Sequence, residues 1–162
     1  MPERKSESGG ARMKRMAVLF LAGSMAAMAA AAEEPKKDVA ALESGAVGVM
    51  RTINTAEVTY AATYSAKGFA CSLEPMMVGP EGSKPSAEHA GLIDQSVKDG
   101  KDRMYRFDVR CPGGTQKPAK AYEATATPLV KGARAICSDE SGKIRWAERN
   151  AKRCVERGEP IE

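Results

Sequence analysis

The period of the hydrophobic pattern changes partway along the chain, and the change separates a helical stretch from an extended one. Between Glu33 and about Ser65 the apolar residues Leu42, Ala46, Val49, Ile53, Ala56, Tyr60 and Tyr64 recur at spacings of three and four, which puts them on one stripe of an α-helix. Pro35 and Asp38 in "EEPKKD" suit a helix start, and Gly68 suits its end. Beside the apolar stripe runs a second one of four threonines, Thr52, Thr55, Thr59 and Thr63, with Val47, Arg51, Val58 and Ala62 round the back. Threonine is a mediocre helix former because its branched Cβ loses rotamer freedom against the preceding turn, so a threonine flank calls for a reason.

Beyond Gly68, "FACSLEPMMVGPEGSKPSAEHAG" reads as a loop broken by three prolines and three glycines, pinned by Phe69, Leu73 and Met76. A short helical turn is predicted over "SAEHAGLIDQSVKDG", with Leu92, Ile93 and Val97 inward and Gly100 as its stop. Alternation then takes over. In "RMYRFDVRC", Tyr105, Phe107 and Val109 share one face while Arg106, Asp108 and Arg110 share the other. "CPGGTQKP" is a turn, and "KAYEATATPLV" a second strand in which Pro128 must sit at the end or on an edge. "ARAICSDESGKIRW" is a hairpin turning at "DESG", from Ala133–Ser138 to Lys143–Trp146. The predicted class is α+β: a long amphipathic helix on an antiparallel sheet of three or four strands, with no internal repeat.

The first 32 residues carry a different pattern. Arg12, Lys14 and Arg15 precede the apolar run "MAVLFLAGSMAAMAAAA", and Ala30 and Ala32 give the small-x-small signal of a cleavage site before Glu33. Residues 1–32 are therefore read as a secretory signal peptide, with translation starting at Met1 or Met13, and 33–162 as one domain. The run is short and weakly apolar for a membrane anchor. Removing it takes away five basic and two acidic residues, so the net charge falls from +4 to +1. That balance gives no support to a nucleic-acid partner.

Export decides how the cysteines are read. Cys71, Cys111, Cys137 and Cys154 all lie outside the leader, and an even count in an oxidising compartment points to two disulfides, with three pairings open. No C-x-x-C pair exists, and the single histidine, His89, falls in the Pro/Gly/Ser-rich loop, so no metal, haem or other cofactor is expected. A catalytic set is also missing: there is no nucleophile elbow and no glycine-rich phosphate loop. The acidic neighbours Asp99 and Asp102, and Asp139 and Glu140, read as solvated turns. Tyr60, Tyr64, Tyr105, Phe107 and Tyr122 read as core. Trp146, at the end of the last predicted strand, is read first as covered by the C-terminal segment and second as part of a binding site.

The runs "SGAVGVMRTINTAEVTYAATYSAKGFACSLEPM", "AGLIDQSVKDGKDRMYRFDV", "YEATATP" and "CSDESGKIRW" together resemble the globular part of type IV pilin-like proteins, the relatives of pilins and type II secretion pseudopilins. The likeness spans Ser44 to Trp146. It implies a helix laid against a small antiparallel sheet, the order already read from periodicity. The favoured pairs are Cys71 with Cys111, which would tie the loop after the helix to the end of the first strand, and Cys137 with Cys154, which would close the tail from about residue 147 to 162 as the tail loop of many pilins is closed. Some pseudopilins hold calcium in a loop of this sheet, but "DESGK" lacks the run of oxygen ligands. The prepilin cleavage motif and the hydrophobic half-helix are absent, and residues 33–47 are charged and Ala-rich instead.

These readings lead to an exported, non-enzymatic interaction protein, placed in the periplasm, at the cell surface or outside the cell. Its expected partners are proteins of a pilus or secretion system. The alternative is a secreted ligand-binding or enzymatic domain that reuses the fold. The expected interaction surface is Thr52, Thr55, Val58, Thr59 and Trp146. The threonine flank is read first as a rim whose hydroxyls bond to loops or water, and more sharply as a retained subunit-packing surface.

Overall fold

The computed structural model describes residues 38–99, 104–114, 116–148 and 150–161. The predicted leader and its expected cleavage site, residues 33–37, Gly100 and Asp102 lie outside the described residues. Helix α1 runs Val39–Thr63, and Asp38 caps it by accepting hydrogen bonds from the N–H groups of Ala40 and Ala41 at 3.1 and 3.2 Å. At the far end Gly68 takes φ +73° and passes against Ala119, whose carbonyl oxygen would lie 2.2 Å from an added Cβ. Only glycine permits that approach, and there Phe69 N–H donates to Ala119 C=O while Ala119 N–H donates to Lys67 C=O.

The core stripe of α1 is rotated from the predicted one. Ala46, Ile53, Ala56 and Tyr60 are buried as expected, but so are Met50, Glu57 and Val47, whereas Leu42, Val49 and Tyr64 are half-buried. Val47, predicted at the back, is covered because the sheet reaches round that flank of the helix. The predicted helical turn over residues 86–100 shrinks to α2 (Ser96–Asp99), and Ile93 instead pairs with Met77 in an isolated bridge. Pro75, Gly79, Pro80 and Pro85 keep this long connection irregular, while Leu73, Met76 and Ile93 still anchor it in the core.

The sheet has five antiparallel strands, not three or four: β1 (Tyr105–Arg110), β2 (Glu123–Pro128), β3 (Ala135–Asp139), β4 (Arg145–Ala147) and β5 (Glu159–Pro160), in spatial order β1-β2-β3-β4-β5. Its register pairs Phe107 with Ala126, Ala126 with Ile136 and Ile136 with Trp146, so one row of side chains faces α1. Alanine at 124 and 126 lets the helix sit close to β2; both are fully buried.

The opposite face is covered by α3 (Ala151–Arg157), a helix not foreseen in the tail. Asn150 caps it through Arg153 N–H at 3.1 Å. The disulfides are Cys71–Cys111 and Cys137–Cys154, the second bolting α3 to β3. Two such bonds point to an oxidising environment. No helix among the described residues is long and apolar enough to cross a membrane.

Asn54 ties α1 to the sheet. Its Nδ2 donates to Ser138 Oγ at 2.9 Å and to the Gly142 carbonyl at 3.2 Å, and its Oδ1 accepts from Tyr122 O–H at 3.0 Å. Ser138 and Tyr122 are buried. Asn54→Ala leaves the Tyr122 hydroxyl without its acceptor and Ser138 Oγ with the Lys143 carbonyl alone. A loss of about 2 kcal/mol is expected, measured by urea unfolding, with Asn54→Asp no better a substitute because it cannot donate.

Candidate functional site

The four threonines of α1 are exposed, yet their hydroxyls are not directed to loops. Each donates to the carbonyl four residues back: Thr52 to Gly48 (3.3 Å), Thr55 to Arg51 (3.0 Å), Thr59 to Thr55 (2.8 Å) and Thr63 to Thr59 (2.8 Å). This corrects the expected rim of loop-bonding hydroxyls. A helix carbonyl is a nearer acceptor than any loop, and once the hydroxyl turns inward the γ-methyl is the group left outward. Thr52, Thr55 and Thr59 line a groove of about 310 Å³ with Arg51 and Leu92. Val58, 59% exposed, stands clear of it on the same side of the helix as Arg51.

Along this outward face charge is scarce. From Ser44 to Ala66 the only charged residues are Arg51 and Glu57, and Glu57 is fully buried. Arg51 has no acidic partner among the described residues, and it borders a second cleft on the other flank. Trp146 lies in that second cleft. The structure therefore divides the predicted surface in two, with the threonines on one side of Arg51 and Trp146 on the other.

Trp146 is half-buried on the α1 face of β4, and the Arg134 guanidinium sits 4.4 Å from its ring centroid. Glu43 reaches from the first turns of α1 to hold Arg134. Its Oε1 accepts from the Arg134 backbone N–H at 2.9 Å, and its Oε2 accepts from Arg134 Nε at 2.9 Å and from Nη2. Burial by itself raises the Glu43 pKa, but the hydrogen bonds and charge of Arg134 outweigh it, so the carboxyl is held below its ordinary value.

Glu57, unlike the partly exposed Glu43, is a fully buried carboxyl. Its Oε2 accepts from Ala70 N–H at 2.8 Å, while Oε1 has no hydrogen-bond partner. Burial pushes its pKa up to about 8, against the pull of the Ala70 hydrogen bond and the charge of Lys117. Sequence reasoning missed this residue, although its spacing placed it on the core stripe, four after Ile53 and three before Tyr60. Burial and then the Glu57 charge also push the Tyr122 hydroxyl up.

The acidic turn at Asp139 is already occupied. Oδ1 accepts from Ser141 N–H and O–H, and Oδ2 pairs with Arg145 at 2.6 Å. A wider cleft of about 540 Å³ over residues 111–121 is formed largely by glycine, proline and alanine with Lys117 and Lys120, and brings no nucleophile and base together. No group of three or more potential metal-ligating side chains occurs among the described residues. Comparison with known proteins finds no matching family model, no matching curated protein and no matching solved structure.

Proposed function

We propose that the chain is an exported, non-enzymatic structural and interaction protein of the pilin-like class, a soluble accessory related to type IV pilus or type II secretion components. It works through the outward face of α1. The order of one long helix and then an antiparallel sheet supports the reading, as do the disulfides. The observation that carries it is the chemistry of that outward face. Small uncharged residues at Gly48, Thr52, Thr55, Thr59 and Ala62 follow one another at spacings of four and three, all of them exposed, on a chain in which 28% of residues are charged. With each threonine hydroxyl turned back to the backbone, desolvating this face against a protein partner leaves no hydroxyl unpaired. Small side chains also allow a partner helix to approach closely.

Thr55→Arg combined with Val58→Glu places two charges on this face without touching the core. Cross-linking of the tagged protein in its native envelope is expected to lose its partner adducts with the double variant, while circular dichroism and Tm stay unchanged. Retention of the same adducts by a folded variant would overturn the assignment of this surface.

A further inference from the structure

We infer that the cleft between α1 and the β3–β4 hairpin binds an aliphatic monocarboxylate, the chemistry that a peptide presents at its C-terminal residue. The cleft encloses about 300 Å³, at the lower end of ligand-sized cavities, which run from roughly 300 to 1,000 Å³. Its walls are apolar. Val47 contributes from α1, Ile136 from β3, Trp146 from β4, and Ile161 from just past β5, where its N–H is held by the Ile144 carbonyl at 3.0 Å.

Three charged residues line the cleft, and two of them cancel. Both carboxylate oxygens of Glu43 are taken up by Arg134, whose guanidinium is thereby held over the indole. Arg51 supplies the remaining charge, with no acidic partner among the described residues. The lining thus carries one net positive charge beside an apolar slot, and the complement is one negative charge on an apolar body. A planar carboxylate matches the guanidinium fork with two parallel hydrogen bonds. A phosphate would meet the same arginine but leave the apolar walls unused. The stacked Arg134–Trp146 pair is fixed before any ligand arrives, so little ordering is required on binding. The cleft lies on the other flank of α1 and shares only Arg51 with the threonine groove, and neither proposal depends on the other.

Trp146 is the only tryptophan, so its fluorescence reports on this cleft alone. The mature protein is titrated with N-acetyl-leucine, 4-methylpentanoate and the uncharged N-acetyl-leucinamide at constant ionic strength. Saturable change is expected with one or both acids and none with the amide. The stronger acid identifies a peptide end or a free short acid as the source. Arg51→Gln, at an exposed position, is expected to weaken binding about tenfold with an unchanged Tm, as loss of a charge-assisted pair implies. Equal responses to acid and amide, no response to either acid, or full affinity in the folded Arg51→Gln variant would overturn the site.

Discussion

Glu57→Gln is expected to remove a fall in stability that the protein shows between pH 4.5 and 8, leaving the variant about 4 kcal/mol more stable than the parent at pH 8. The carboxyl is fully buried with one oxygen on Ala70 N–H and the other unpartnered, so its charged form is the costly one. Below pH 4.5 the group is protonated in both the folded and the unfolded chain, and the folded state keeps its full advantage. Between 4.5 and 8 only the unfolded chain releases the proton, and stability drops by about 1.4 kcal/mol per pH unit. Above 8 both states are ionised and the loss is complete.

The other groups facing Glu57 leave this window clear. Lys117 approaches from the loop as a charge, Tyr60 lies on its own helix and Tyr122 on the sheet side, and burial raises the pKa of both tyrosines above 10. Glu43 and Asp139 have lowered values, so their contributions are present above the ordinary carboxylate range and fade only in acid. Thermal melts from pH 5 to 8 provide the measurement. The parent is expected to lose on the order of 10 °C across that range and Glu57→Gln to stay nearly flat. Parallel slopes would show that Glu57 is not protonated in the folded protein.

The second large effect is the loss of either disulfide. Loop closure gives about 4 kcal/mol for Cys71–Cys111, 40 residues apart, and about 3 for Cys137–Cys154, 17 apart. The consequences differ in place. Cys71–Cys111 joins the loop after α1 to the end of β1, so Cys71→Ala with Cys111→Ala is expected to lower the global Tm. Cys137–Cys154 holds α3 on the sheet through a small cluster of Cys137, Ala147 and Cys154 with Val155 against it. A seven-residue helix has little stability without such packing. Cys137→Ala with Cys154→Ala is therefore expected to abolish amide-exchange protection at Cys154 and Gly158 before the strands β1 to β3 exchange. Alanine is preferred to serine because Cys137 and Cys154 are both fully buried, and a hydroxyl there would add an unsatisfied polar group. Unaltered protection in α3 would mean that packing alone retains it.

Local chemistry determined a good deal about this protein. The three-and-four spacing from Leu42 to Tyr64 specified a helix, because burying one stripe is the only way that pattern can leave water. Alternation from Tyr105 to Val109 specified a strand with the aromatic face inward, and the even cysteine count, read for an oxidising compartment, pointed to two bonds. Pro128 stood at the end of its strand for want of an N–H. What those patterns left open depended on neighbours distant in sequence. Glu57 was on the apolar stripe, but its burial required the crossing of residues 68–70 with Ala119. The tail held too few apolar residues to announce α3 and β5, and they form because Cys154 is tethered to Cys137 and Glu159 finds Trp146 as a partner. The threonines were visible as a stripe, but the direction of their hydroxyls was not. A hydroxyl takes the nearest strong acceptor, and even with Leu92 of the connection beside this flank the nearest one is the helix's own carbonyl.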